Sequence, residues 1–485
     1  MPSNRVVKVR TSGDSVTAQE MRDGIAAIQE EQELSPTFPD AVERAAAEAA
    51  ANPRLPELDR TDIELVTIDP EGAKDLDQAM HIERDSQHQG GYVVHYAIAD
   101  VAAFVSPGDP VDVEANRRGE TLYGADSKIP LHPPVLSEGA ASLLPDEVRP
   151  ALLWTIRVDE TGEGTDVEVE RALVRSRAQL TYEAVQADVD AGRASELMGL
   201  LREVGELRLA REAARGGVSL PLPEQELVEE DGHWRLEFRS MTPVESWNAQ
   251  ISLLTGMAAA SLMVYARVGI LRTLPPADPR DVQRLHRTAR ALGIDWPAEQ
   301  LYPDFIRTLD PSMPTHAAMV VACTRLLRGA GYVAFDGELP EQPQHAALAS
   351  EYAHVTAPLR RLVDRYAGEI CVALCAGTDV PDWVVAAMGE LPDTMTESGR
   401  RANQYENAVV DLCEAELLKE RVGEAFIAVV VEVDEKDATK GDVTIQDPAI
   451  EARVSGSADL PLGEEVRVRL AQADPASRAV SFEVA

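Results

Sequence analysis

The chain has 485 residues, too many for one ordinary core, and its 45% apolar content is enough to bury two to four domains. Its 46 Lys and Arg face 83 Asp and Glu, a formal charge of −37 that argues against a broad positive surface for nucleic acid. That charge does not exclude a locally basic channel, because net charge governs solubility and long-range steering rather than the field inside a cleft.

In chain order, MPSNRVVKVRTSGDS has a short apolar alternation at Val6, Val7 and Val9 and no signal-peptide pattern. VTAQEMRDGIAAIQEEQEL predicts a helix with Met21, Ile25 and Ile28 on one face, and FPDAVERAAAEAAAN a second, ended by Pro53 and Pro56. Residues 1–60 are therefore a small helical extension. It is either helix-turn-helix-like or a helical cap packed on the next domain. Residues 61–421 are mixed α+β. IELVTID and YVVHYAIADVAAFV predict strands, and LLWTIRVDETGEGTDVEVERALVRSRAQL predicts a strand pair around Thr-Gly-Glu-Gly. Beyond Pro243 the helical period takes over. NAQISLLTGMAAASLMVYARVG is a long apolar helix and DVQRLHRTARALG an amphipathic one. EYAHVTAPLRRLVDRYAGEICVALCAG starts extended and ends as a buried helix, and TMTESGRRANQYENAVVDLCEAELLKERVG is a long helix closed by Gly423. Residues 422–485 hold five short strands, the count and size of an OB-type barrel. From 424 onward there are six Lys and Arg against thirteen Asp and Glu, so the barrel shows no basic face of its own. No apolar run of eighteen residues appears, and no membrane span is expected. Cys323, Cys371, Cys375 and Cys413 lack metal or disulfide spacing, which points to a reducing cytoplasm.

Three segments carry chemistry. TIDPEGAKDLDQA places Asp69, Asp75 and Asp77 within nine residues, after the end of a predicted strand. Carboxylates so close repel one another, and a hard divalent cation relieves the conflict; a solvated acidic turn is the other reading. An EF-hand is excluded, because its ligand spacing and terminal glutamate are missing. HVTAPLRRLVDR brings Arg360, Arg361 and Arg365 after Pro358, either as a phosphate-holding fork or as partners for the chain's many carboxylates. TLYGADSKIPLHPPVLSEGAASLLPDEVRPAL is punctuated by proline and offers Tyr123 and Lys128. The tyrosine can stack on a base or fill core.

In this order and at these distances, the three segments resemble the ribonuclease II / ribonuclease R family, whose catalytic unit is the RNB domain. The match runs over roughly residues 61–420, and the closing barrel resembles the S1-type OB domain that usually follows. The resemblance implies a processive 3′-to-5′ exoribonuclease. It would hydrolyse single-stranded RNA to 5′-mononucleotides with Mg2+ or Mn2+, with no small organic cofactor, as a cytoplasmic monomer. It implies metal ligation by Asp69, Asp75, Asp77 and, through a carbonyl oxygen, Gln78. It implies that catalysis depends most on Asp77, with Asp69, Asp75 and Arg360. Tyr123, Arg361 and Glu406 would contact the RNA end. There are departures. Gln78 replaces the family's fourth aspartate, which weakens the site's charge and favours manganese. Ala357 and Leu362 replace a serine and a tyrosine, the helix WNAQISLLTGM lacks the usual acidic pair, and the paired cold-shock barrels expected upstream do not fit in 60 residues. Two rivals follow: an RNA-binding relative that has lost its chemistry through Gln78, and a phosphodiesterase acting on small nucleotides.

Overall fold

The computed structural model describes residues 16–125, 127–230 and 233–485. The alternation at Val6, Val7 and Val9 lies outside the described residues.

Leu65–Asp69, Gln78–Arg84, Tyr92–Ala99, Val148–Val158 and Gly164–Thr181 close into a five-stranded barrel in that order. Neighbours are antiparallel except at closure, where the first strand runs parallel to the last, with Asp69 opposite Thr181. The predicted mixed sheet is thus a closed barrel, which removes exposed strand edges. Period-two alternation feeds two cores. Met80, Ile82, Tyr96, Ile98, Trp154 and Ile156 join one with the helices Pro243–Ala266 and Leu362–Ala376. Leu65, Ala79, Ala97, Ala151, Leu153 and Ala172 join another with Phe38, Val42 and Ala46.

Pro243–Ala266 begins at a capping box, in which Thr242 and Glu245 exchange side-chain and backbone hydrogen bonds. By length and composition alone it could cross a bilayer. Val244, Trp247, Ile251, Leu254 and Met263, however, lie in the main core. Gly256 admits the neighbouring chain, since a Cβ there would sit 2.1 Å from the Tyr352 ring.

The two N-terminal helices, Val16–Glu31 and Asp40–Ala51, pack into different cores. The last domain is a second closed five-stranded barrel, with Ile450–Ser455 parallel to Ala479–Val484. Gly423, at φ 93°, ends the approach from the long helix Leu391–Leu418. QAMHIER is a strand that the sequence did not announce, as is the ribbon Glu224–Glu230 with His233–Arg239. YVVHYAIADVAAFV stops as a strand at Ala99 and turns into the short 3-10 helix Val101–Ala103.

Candidate active site

The aspartate loop joins the first two barrel strands. Leu76 is its anchor: the side chain is fully buried, its N–H donates to Ser142 Oγ at 2.9 Å, and its carbonyl accepts from the Leu143 N–H at 3.0 Å. Ser142 Oγ donates to the Lys74 carbonyl and Gln179 Nε2 to the Ala73 carbonyl. Asp75 and Asp77 flank this anchor. Asp77 is 6% exposed; its Oδ1 accepts from the Leu359 N–H at 2.8 Å and its Oδ2 lies 3.8 Å from Arg360 Nε. One carboxylate therefore joins the acidic loop to the arginine segment. Asp75 pairs with Lys128 Nζ at 2.8 Å, and Lys128 also reaches Glu138 at 2.9 Å.

The electrostatics match this crowding. Burial pushes Asp77 up to about 8; the Arg360 charge and the Leu359 N–H oppose it, while Asp364 and Asp75 add to it. Burial raises Asp69 to about 6, and the Asp75 charge contributes. Asp69 Oδ2 is buried with no hydrogen-bond partner. Burial alone would lower the Lys128 pKa, but Asp75 and Glu138 outweigh it and hold the ammonium above its ordinary value.

Tyr123 and Lys128 pair across a two-stranded ribbon, Leu122–Tyr123 with Lys128–Ile129, which places both at the loop. Burial raises the Tyr123 phenol, with the Arg360, Asp75 and Asp77 charges all acting on it. Backbone pairing secures the approach of the arginine segment. The Thr121 N–H donates to the Arg360 carbonyl, the Leu362 N–H donates to the Gly119 carbonyl, and Glu120 bridges Arg361. Glu406 accepts from the Tyr123 N–H, and burial, with Glu120 beside it, raises its pKa to about 7.

Two candidates have other partners. Arg361 forks onto Asp364 at 2.8 and 2.9 Å, and Asp364 also accepts from the Ala357 N–H at 2.7 Å. The Arg361 guanidinium is committed to shaping its own segment, as Arg365 is through Asp112 at 2.5 Å. Arg360, 41% exposed at the side chain, is the arginine of this segment that stays open. Gln78 donates from Nε2 to the Thr356 carbonyl at 2.6 Å and accepts from the Tyr96 hydroxyl at 2.8 Å. Tyr96 in turn contacts Ser252 Oγ at 2.7 Å. Both ends of the amide thus have partners within the fold. Sequence reasoning missed Glu138, Glu120 and Asp364. Only Asp364 left a signal, three residues after Arg361 at the start of a helix.

The donor chemistry suits a hard cation. Asp69 has an orphaned buried oxygen, and burial and mutual repulsion hold Asp69 and Asp77 above the ordinary carboxylate range. Among the described residues, no three acidic, His or Cys side chains are gathered closely enough to hold an ion. Lys128 Nζ sits on Asp75 Oδ1 and offsets the charge of that carboxylate in this arrangement.

An acidic loop facing one open guanidinium, on a closed barrel followed by an OB-type barrel, defines a two-barrel protein whose cleft carries both signs of charge. The chain belongs to the RNB domain family. That family's model matches residues 58–375, and the model of the RNase II-type exonuclease C-terminal S1 domain matches residues 424–485. Ribonuclease R of Escherichia coli (strain K12) is 28% identical over 428 residues, covering 83% of this chain and 52% of the relative. A probable exosome complex exonuclease RRP44 from Caenorhabditis elegans is 29% identical over 350 residues, covering 67% of this chain and 35% of the relative. The chain thus spans about half the length of Escherichia coli ribonuclease R, and less of RRP44. Mycoplasma genitalium RNase R, solved with ribose-methylated single-stranded RNA, superposes with a TM-score of 0.83 at 18% identity over 96% of this chain and 78% of that one. Yeast Ssd1, a pseudonuclease, superposes at 0.70 with 16% identity over 93% and 58%. At these identities the two structures speak to the fold alone.

Proposed function

We propose that the chain is a 3′-to-5′ exoribonuclease that hydrolyses single-stranded RNA processively to 5′-mononucleotides, using a divalent metal. Family membership supports the reaction class. The observation that carries the reading is the junction of Asp77 with Arg360: a buried carboxylate, held by the Leu359 N–H, beside the open guanidinium of the next residue. Asp69, Asp75 and Asp77 would hold the cation once drawn together, since in this arrangement they are not gathered closely enough to hold an ion. When bound, it supplies a polarised water and neutralises charge on the phosphate. Arg360, whose side chain is 41% exposed, binds the phosphate next to the bond cut. Tyr123 offers its ring to the terminal nucleotide. Glu406 accepts a hydrogen bond from the terminal sugar. Lys128 keeps Asp75 neutralised until substrate and cation arrive. Mg2+ or Mn2+ is the proposed cation, and a monomer without an organic cofactor, acting in the cytoplasm, is the proposed form.

A second reading, an RNA-binding member without turnover, is favoured by one observation: Gln78 is engaged by Thr356 and Tyr96 and brings no charge to the site. Digestion of a 5′-labelled oligo(A) separates the two. The enzyme reading expects mononucleotide release that stops with EDTA and falls at least a hundredfold in Asp77→Asn. Retention of RNA, with equal and negligible turnover in both proteins, would establish the second reading.

A further inference from the structure

The helix Val16–Glu31 packs on the long helix Leu391–Leu418, which in turn packs on the ribbon of Tyr123 and Lys128. Its buried Met21, Ile25 and Ile28 share one apolar cluster with Leu122 and Ile129, and with Tyr405, Val409, Leu412 and Cys413 of the long helix. In the ribbon Leu122 pairs with Ile129 and Tyr123 with Lys128. Alternation therefore turns Leu122 and Ile129 toward the helices and Tyr123 and Lys128 toward the cleft. Close approach is built in, since a Cβ at Gly24 would sit 2.6 Å from Leu412 Cδ2.

Polar contacts make the packing specific. Gln29 Nε2 donates to the Tyr405 hydroxyl at 3.0 Å. That hydroxyl is wedged under the ribbon's turn, where a Cβ on Gly124 would meet it at 3.0 Å. The next residue along the long helix, Glu406, accepts the Tyr123 N–H. The linker after the helix holds the ribbon's other approach. The Thr37 carbonyl accepts from Arg118 Nη2 at 2.8 Å, and the Arg118 guanidinium lies 3.8 Å over the Phe38 ring. Arg118 stands at the end of the helix Pro110–Arg118, from which the chain runs through Glu120 to Tyr123. Ion pairs of Glu20 with Lys419 at 2.6 Å and of Glu31 with Arg478 at 2.8 Å tether the helix to the long helix and to the final barrel.

We propose that the helix Val16–Glu31 is a brace that sets the position of Tyr123 in the cleft, with Gln29 as a positioning residue acting through Tyr405. The role in turnover rests on the reading that Tyr123 packs on the RNA terminus. The brace itself does not. It follows from the chemistry of the contact: Gln29 donates to the hydroxyl, and the hydroxyl packs against Gly124. Without that donor the ribbon keeps its apolar underside but loses one of the contacts that fix the hydroxyl beneath Gly124.

The test uses the full chain and an isosteric variant without a donor, Gln29→Met, with Glu20→Ala as a control on the same helix. Amide hydrogen exchange reads the ribbon directly. Gln29→Met is expected to speed exchange at residues 122–125 and 127–129 about tenfold, whereas Glu20→Ala leaves it unchanged. Equal exchange in wild type and Gln29→Met overturns the brace, whatever the activity. Turnover of oligo(A) is then compared in a double-mutant cycle. Gln29→Met is expected to lower kcat/KM about three- to tenfold with Tyr123 present and less than twofold in Tyr123→Ala, while the urea midpoint shifts equally in both backgrounds. The same fold-loss in both backgrounds would assign the helix a purely stabilising role and overturn the proposal. A Tyr123→Ala protein as active as wild type would instead count against the assignment of Tyr123, and the exchange result would still decide the brace.

Discussion

Replacing Lys128 by methionine removes the ammonium that pairs with Asp75 of the acidic loop. Lys128 Nζ lies 2.8 Å from Asp75 and 2.9 Å from Glu138, and the Lys128 and Asp75 side chains are 25% and 19% exposed. Coulomb's law puts roughly 6 kcal/mol on unit charges at the Asp75 separation with an effective dielectric near 20. Desolvation and replacement by water cancel most of that, leaving about 1.5–3 kcal/mol for a charge-assisted contact of this kind. If a cation that ligates Asp75 displaces the ammonium from Oδ1, this is the amount by which Lys128 opposes binding. Lys128→Met should therefore bind Mn2+ about tenfold to a hundredfold more tightly than wild type. Titration with Mn2+, followed by its electron paramagnetic resonance signal at fixed pH, reads this without reference to turnover. Asp77→Asn serves as the weak-binding control. Equal or weaker Mn2+ binding by Lys128→Met would refute the idea that the lysine and the metal compete for Asp75. A wild-type protein that binds no Mn2+ would refute the metal site itself.

Other expectations follow from the same geometry. Gln78→Asp adds the charge that the family pattern would restore, but the shorter acid cannot donate to Thr356; a loss of about 1–3 kcal/mol in urea unfolding is expected, and an unchanged midpoint would contradict the amide's structural role. Arg361→Ala strands Asp364 and should cost about 3–5 kcal/mol of stability, whereas Arg360→Ala should leave the urea midpoint near wild type and lower kcat/KM at least a hundredfold. Glu406 titrates near 7 in the fold, above the ordinary 4.5. The folded state thus binds its proton more tightly, and this group's share of stability falls as pH rises from about 4.5 through 7. The stability of Glu406→Gln relative to wild type should grow by about 2–3 kcal/mol between pH 5 and pH 8, measured by urea unfolding at each pH. A difference independent of pH would remove the raised pKa from the account.

Legibility in the sequence followed the range of the interactions. The final barrel was readable because each of its five strands alternates and ends at turn residues. The long apolar helix and the N-terminal helices were readable from a 3.6-residue period. QAMHIER was not, because the strand begins at the end of the aspartate loop and only Met80-His81-Ile82-Glu83 alternates, too short a run to stand out. The site divides in the same way. Crowding of Asp69, Asp75 and Asp77 is local and plain. That Asp77 meets Leu359, 282 residues away, and the adjacent Arg360 is a product of the fold, and residue types alone gave no means of choosing Arg360 over Arg361. Gln78 is the sharpest case. In sequence it is a missing carboxylate, while in the structure it is a donor that a carboxylate cannot replace, facing a backbone carbonyl. Glu120 and Glu138 left no local signal, because each matters only through partners brought in by the ribbon and the arginine segment.

The central claim is that RNA is shortened from its 3′ end at the junction of Asp77 and Arg360. Its most direct test is a time course on a single-stranded RNA carrying label at the 3′-terminal nucleotide. Wild type, with Mg2+ or Mn2+, should release labelled mononucleotide as the first product, before shorter chains accumulate, and Asp77→Asn and Arg360→Ala should not. Labelled fragments longer than one nucleotide at the earliest times, or release undiminished in both variants, would contradict the account.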